Sequence, residues 1–236
     1  MRSANFPEYK YSEAADTYES VADEYYDERL HPTCADFRSA STSFLERFFR
    51  RSSPKGRIAD IGCGRSLVAN FYQRDLVLID ASARMLGRNP PIFEKRKLNV
   101  ERESIGTLEF DWIFAVLGDP YNSPNAWQNI ASALKRGGEC VFIVPSYKWA
   151  QAFRPGIAQE KLGFARFVTG TGNTIYLRSL ILRPEDQAEM ISDAGLAVTS
   201  VEDVLVRELA SVRSAKIYDV LAEKDALLDV YRATKL

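Results

Sequence analysis

Two carboxylates and two glycines in a short stretch carry the most legible chemistry of the chain. Residues 57–66 read RIADIGCGRS, and LIDAS follows at 78–82. Gly62 and Gly64 come directly after a short apolar run, so the backbone there can turn sharply and approach a ligand closely. A helix starting beyond them would offer its N-terminal amides. Asp80 ends the next apolar run, where a carboxylate can accept hydrogen bonds from both hydroxyls of a ribose. A dinucleotide fingerprint needs a third glycine three positions after the second, and that position is Leu67. Asp60 stands two residues before the first glycine, where it would repel a pyrophosphate but suit an ammonium group. A nucleoside carrying an amino-acid tail satisfies both acids.

These residues need a scaffold, and the hydrophobic rhythm supplies one. Short apolar runs at 57–61, 76–79, 97–100, 110–117 and 140–144 read as buried strands. Helix-like stretches at 65–73, 82–88 and 124–136 lie between them; the last has Ser123 as N-cap, Pro124 at its start and Gly137-Gly138 after its end. Continuous apolar strands alternating with helices predict a doubly wound α/β fold, its mostly parallel sheet covered on both faces. Ligands in such sheets bind beyond the carboxyl ends of the strands, where strand order reverses. Before this core, helices are predicted over 12–28 and 34–51, the second with Thr33 and Asp36 as a capping box and an apolar stripe from Phe37 to Phe49. After it come a helix over 183–195 and two strands near 197–206 and 226–233.

The bulk numbers narrow the class. A chain of 236 residues with 46% hydrophobic content can bury a sizeable core. With 31 basic against 32 acidic residues there is no electrostatic footprint for nucleic acid or an anionic membrane. The opening MRSANFPEYKYSE has no apolar signal region and no run reaches the length of a membrane span, so a cytoplasmic protein is expected. Cys34, Cys63 and Cys140 have no metal-type spacing and read as reduced thiols. A single histidine, His31, leaves no multi-histidine metal site, and no metal is expected.

ADIGCGRS, LIDASARML, FDWIFAVLGDP and ALKRGGECVFIVPS, in this order and spacing, resemble the motifs of the class I S-adenosylmethionine-dependent methyltransferases over roughly residues 57–145. The outer segments YESVADEYYD (18–27) and AEMISDAGLAVTSVEDV (188–204) are similar to that family's tyrosine-bearing lid helix and to the helix–glycine–strand before its final strands. The resemblance implies a seven-stranded sheet with an antiparallel last strand. It also implies an N-terminal helical lid (1–52), a Rossmann-like domain (53–236) and a substrate-roof insert at about 147–182, for which a plain hairpin is the alternative. Its cofactor is S-adenosylmethionine, leaving S-adenosylhomocysteine as product. By this resemblance the Gly62-Cys63-Gly64 backbone runs beside the methionine portion, with Asp60 near its ammonium group. Asp80 holds the ribose, and Ala81 and Met85 wall the adenine. Asn99 and Val100 contact the adenine edge, Ala115 and Val116 the methionine end. Tyr18 or Tyr26 edges the cofactor from the lid. Two departures stand out: Ser66 where the family often has a third glycine, and a short connection from Gly64 to Asp80 that implies a first helix trimmed by about a turn.

The methyl acceptor is less legible. The loop after the fourth strand reads GDPYNSPNAW (118–127), so Asp119, Tyr121 and Asn122 are candidates, and GDPY is a partial match to the acid–proline–proline–tyrosine motif of amine-directed enzymes. His31 is a candidate general base if the N-terminal helices cover the site, and a capping residue otherwise. Trp149 and Arg154 could clamp a flat or acidic acceptor. Methyl transfer to an oxygen or nitrogen of a small molecule, mainly by positioning, is the leading expectation. An RNA- or protein-directed enzyme and a non-catalytic binder are the alternatives. The sequence leaves homo-oligomerisation open.

Overall fold

Residues 14–153 and 163–236 are described by the structure, a computed structural model. Two helices, α1 (Ala14–Val21) and α2 (Pro32–Ser52), precede the core. Next come β1 (Ile58–Ile61), β2 (Leu76–Asp80), α3 (Ala83–Gly87), β3 (Glu94–Lys97), β4 (Phe110–Val116), α4 (Pro124–Ala133) and β5 (Leu134–Pro145). The remainder is α5 (Tyr147–Phe153), β6 (Phe164–Val168), β7 (Thr174–Arg178), α6 (Pro184–Asp193), β8 (Leu196–Leu205), α7 (Ala215–Tyr218) and β9 (Ala226–Lys235).

The main sheet has seven strands in the order β3-β2-β1-β4-β5-β9-β8, while β6 and β7 form a separate hairpin. Strands β1 to β5 pair in parallel. The last strand, β9, runs antiparallel between β5 and β8, as the motif series implied. Strand order reverses between β1 and β4, so a crevice opens at their carboxyl ends.

Period-two alternation sends each strand's side chains to two different cores. Ile58, Leu78 and Phe114 pack on the α2 side with Phe37, Phe44, Leu45 and Phe48. Ala59, Ile61, Ile79, Ile113 and Ala115 pack on the other side with Trp127 and Ile130 of α4 and Ile191 of α6. The α2 stripe is dense in rings: Phe49 stacks on Phe114 at 5.2 Å and on Phe71 at 5.7 Å, and Phe48 meets Trp112 edge-on.

Four sequence expectations are corrected. The helix expected over 65–73 is only a 3-10 turn at Val68–Asn70. Residues 62–75 must make the glycine turn and still return to the start of β2, and that leaves no length for a packed helix. The strand expected at 97–100 lies earlier, at Glu94–Lys97. As the sheet edge it is charged rather than apolar, which blunts edge pairing, and the apolar Leu98 and Val100 serve the crevice instead. Thr33 and Asp36 do not form a capping box. The N-cap of α2 is His31; Asp36 accepts from the backbone amides of Arg213 and Ser214, and Thr33 pairs with the Ser214 hydroxyl at 2.6 Å. Finally, α4 stops at Ala133, four residues before Gly137, because Leu134 already pairs with Phe110 in the sheet. Its start is as expected, with Ser123 Oγ accepting from the Ala126 amide.

Candidate functional site

The glycine turn follows β1 directly, with Gly62 at φ +57° and Gly64 at φ +49°, a conformation that favours glycine. Space forbids a side chain as firmly as the backbone does: a β-carbon on Gly62 would collide with the Tyr121 ring, and one on Gly64 with the Tyr26 hydroxyl. Tyr121 is held there by its hydroxyl, which donates to the Ile61 carbonyl at 2.7 Å. Tyr26 accepts from the Arg65 amide at 2.5 Å, and the guanidiniums of Arg38, Arg65 and Arg88 lie 5.0–5.7 Å from its ring centroid.

Asp60 lies against this turn, 1% exposed. Its Oδ2 accepts from Ser66 Oγ at 2.5 Å, but its Oδ1 is buried without a partner. Burial pushes the carboxyl up to about 7, with the Ser66 hydrogen bond opposing and Asp80 adding repulsion. Ser66, at the position of the missing glycine, is thus a support: its hydroxyl also accepts from the Ala69 amide, and its own amide donates to Asn89. Asp80 accepts from the Gly64 and Ser82 amides, both at 2.8 Å, and burial raises it too. Each carboxylate oxygen keeps a second lone pair for another donor.

A cavity of about 320 Å³ opens from this turn. Gly62, Cys63, Gly64 and Tyr121 line it, together with Asp80, Ala81, Met85, Asn99 and Val100. Val116 reaches it from β4, and Tyr18 and Tyr26 close it from the N-terminal segment. Among the cofactor candidates, Ala115 falls outside: alternation along β4 turns it into the α4-side core, fully buried. Asp60 is not in the wall but behind the turn.

A second cavity of about 370 Å³ adjoins the first, and Tyr18, Tyr25 and Leu117 line both. His31, Asp119 and Trp149 belong to this second space. Trp149 is fixed by donating its Nε1 hydrogen to the Lys216 carbonyl at 2.7 Å and by an edge contact with Phe37. Asn122 is in neither wall. It is buried between Trp127 Nε1, Gln187 and the Leu180 carbonyl, at 2.6 to 3.1 Å, so its polar atoms are taken up by the fold. Arg154 lies outside the described residues.

Leu117 carries no sequence signal, whereas the hairpin residues fall in the 147–182 stretch expected as a roof insert or a plain hairpin. Leu117 sits between the two cavities at φ +54°, unusual for a leucine, and such backbone conformations concentrate at functional sites. The β6–β7 hairpin contributes Phe164 and Arg178 to the first cavity and Phe167 and Ser179 to the second. Arg178 is clamped to both oxygens of Glu101 at 2.6 and 2.8 Å. Glu19 of α1 ties the N-terminal segment to the loop after β2 through Ser82 Oγ and the Arg84 amide. The resemblance of YESVADEYYD to a lid helix is the sequence signal that this segment covers the cavity.

No protein-family model and no curated protein matches this sequence. Solved structures do match in fold. The DhpI–SAM–HEP complex is 17% identical over 94% of this chain and 95% of its own, at a TM-score of 0.64. A Clostridium acetobutylicum S-adenosylmethionine-dependent methyltransferase is 14% identical over 93% and 99%, at 0.57. SpnF, a [4+2]-cyclase, is 18% identical over 82% and 81%, at 0.56. At these identities the likeness establishes the architecture.

Proposed function

We propose that this chain, which has the class I S-adenosylmethionine-dependent methyltransferase fold, binds S-adenosylmethionine in the first cavity and transfers its methyl group to a small molecule held in the second. The observation that carries this is the pair of adjoining cavities: one bears the glycine turn and Asp80, with Asp60 buried directly behind that turn, and it meets the other across Tyr18, Tyr25 and Leu117. The residues fit the donor. The orphaned Asp60 Oδ1 gains a cationic neighbour in the amino-acid tail, the glycine backbone admits the chain close by, and Asp80 has lone pairs left for ribose hydroxyls. Ala81, Met85, Leu98 and Val100 offer apolar contact to a base. When bound, the cofactor supplies a methyl group on a positively charged sulfur. The protein's task is then to align an acceptor and exclude water. Residues 14–52 and the β6–β7 hairpin are the cover and roof that do so.

A small acceptor is supported by the enclosed, aromatic lining of the second cavity. Of the arginines near the first cavity, Arg178 is neutralised by Glu101, and Arg38 and Arg65 lie against the Tyr26 ring. Titration calorimetry with S-adenosylhomocysteine tests the donor site. Saturable binding that is lost by tenfold or more in Asp80→Ala is expected, and no binding to the unmodified protein would refute it. A purely non-catalytic role would be refuted by turnover of a labelled methyl group.

A further inference from the structure

We infer that the second cavity takes a planar aromatic acceptor bearing a hydroxyl, a phenol-type compound, whose oxygen is methylated while its proton passes to Nε2 of His31. This rests on the function proposed above.

The walls define the ring. Tyr18, Tyr25, Phe37, Trp149 and Phe167 all face the space, and their rings are locked against one another. Tyr25 stacks on Phe167 at 6.3 Å, Trp149 meets Phe37 edge-on at 4.9 Å, and the His31 imidazole stacks on Phe167 at 3.9 Å. A flat apolar ligand is the complement of such a surface.

The polar groups define the substituent. His31 is 7% exposed, and its Nε2 is buried without a hydrogen-bond partner. A buried ring nitrogen left unpaired is uncommon, and a ligand hydroxyl donating to it removes the deficit. Three effects favour the neutral ring, which can accept a hydrogen bond. Burial lowers its proton affinity, more than the nearby carboxylates of Glu24 and Asp27 raise it. Arg38 and Lys216 repel a second proton. The residue also caps the 21-residue helix α2, whose amino end disfavours positive charge. Asp119 lines the same cavity.

The chemistry balances. The acceptor oxygen forms the new bond to the methyl carbon, the carbon–sulfur bond breaks with its electron pair left on sulfur, and the hydroxyl proton goes to His31 Nε2 and on to water. His31 is here a catalytic residue, and Phe167 positions its ring.

Because His31 is the sole histidine, its imidazole gives a single Cε1-bound proton signal in a chain labelled at histidine. The test adds 4-nitrophenol to the full-length protein with and without S-adenosylhomocysteine. It follows that signal together with the phenolate absorption band. Saturable binding that shifts the imidazole signal is expected, weakened at least tenfold in His31→Asn, a substitution that keeps a good helix cap. Benzylamine serves as the amine comparator and should bind at least tenfold more weakly. An unmoved imidazole signal at saturation, or tighter binding of benzylamine, overturns the inference. The wild-type spectra decide it even if the variant fails to fold. Calorimetry on the same samples separates the two levels: bound S-adenosylhomocysteine with a silent imidazole sinks this inference alone, whereas no S-adenosylhomocysteine binding sinks the donor assignment.

Discussion

Asp60 is a buried acid that costs the free protein stability, and the sign of that cost is set by its proton. Its ordinary value of 3.8 is raised to about 7 in the fold. Between those limits the folded chain holds a proton that the unfolded chain has released, so stability falls as pH rises from about 4 to about 7 and stays low above. Asp60→Asn should therefore raise the melting temperature by a few degrees at about pH 8 and leave it nearly unchanged at about pH 4. The proposed ammonium partner works in the opposite direction, because it favours the ionised acid. S-adenosylhomocysteine affinity should rise from about pH 6 to about pH 8 with release of a proton, seen as a buffer-dependent binding enthalpy. In Asp60→Asn the proton release should vanish and the affinity fall roughly tenfold. Asn122 makes the contrasting case. Asn122→Ala strands Trp127 Nε1 in the core, so denaturant unfolding should show a loss of about 1–3 kcal/mol while S-adenosylhomocysteine binds as before. A large loss of affinity at unchanged stability would return Asn122 to the binding site.

At the scale of elements, the site is assembled by pieces that have little to do with one another in sequence. The β6–β7 hairpin reaches the cavities from beyond β5, and one of its attachments is the Arg178–Glu101 clamp. Both partners are partly exposed, so the pair adds little to global stability, about 1 kcal/mol or less. Its effect should be local. Arg178→Met should weaken S-adenosylhomocysteine by several-fold, measured by calorimetry, with the unfolding midpoint almost unmoved. Loss of the whole fold in that variant would show the hairpin to be part of the core. The trimmed connection after β1 has a related consequence: α2 covers much of that sheet face itself, through Phe48 and Phe49 against Trp112 and Phe114. The element that caps itself with His31 is therefore also the one that seals the sheet.

For the molecule as a whole, two separate cores clasp one sheet, and the ligand cavities sit at its carboxyl edge beside α1 and α2. Removing a large core ring should be felt globally. Phe48→Ala should cost about 3–5 kcal/mol in denaturant unfolding. If the donor site spans the folded state as proposed, S-adenosylhomocysteine at about one hundred times its Kd should restore about 2.7 kcal/mol of that loss. No shift in the unfolding midpoint on adding ligand would contradict binding to the native fold.

Much of this was present in the linear chain because it depends on near neighbours. Alternating apolar runs, the Ser123-Pro124 helix start and Gly195 at φ +86° after α6 obey local rules of burial and backbone freedom. The Asp60–Gly62–Gly64 turn and the acid at Asp80 are likewise local, each placed at the end of a strand legible by itself. Where short-range signals misled, long-range packing had prevailed: β3 is charged because it is an edge, and Thr33 and Asp36 serve the distant Ser214 rather than their own helix end. Which side of β4 meets the cavity could not be read from FAV, since Ala115 and Val116 are equally apolar and only the sheet's orientation separates them. The same holds for His31. Its residue type announced a proton acceptor, but its stacking on Phe167, its unpaired nitrogen and its place in a second cavity exist only once the hairpin folds back over α1 and the turn that follows it. Spacing along a chain encodes which groups a turn or strand will present; what faces them across a cavity depends on contacts that close over long loops, and those only the packed molecule decides.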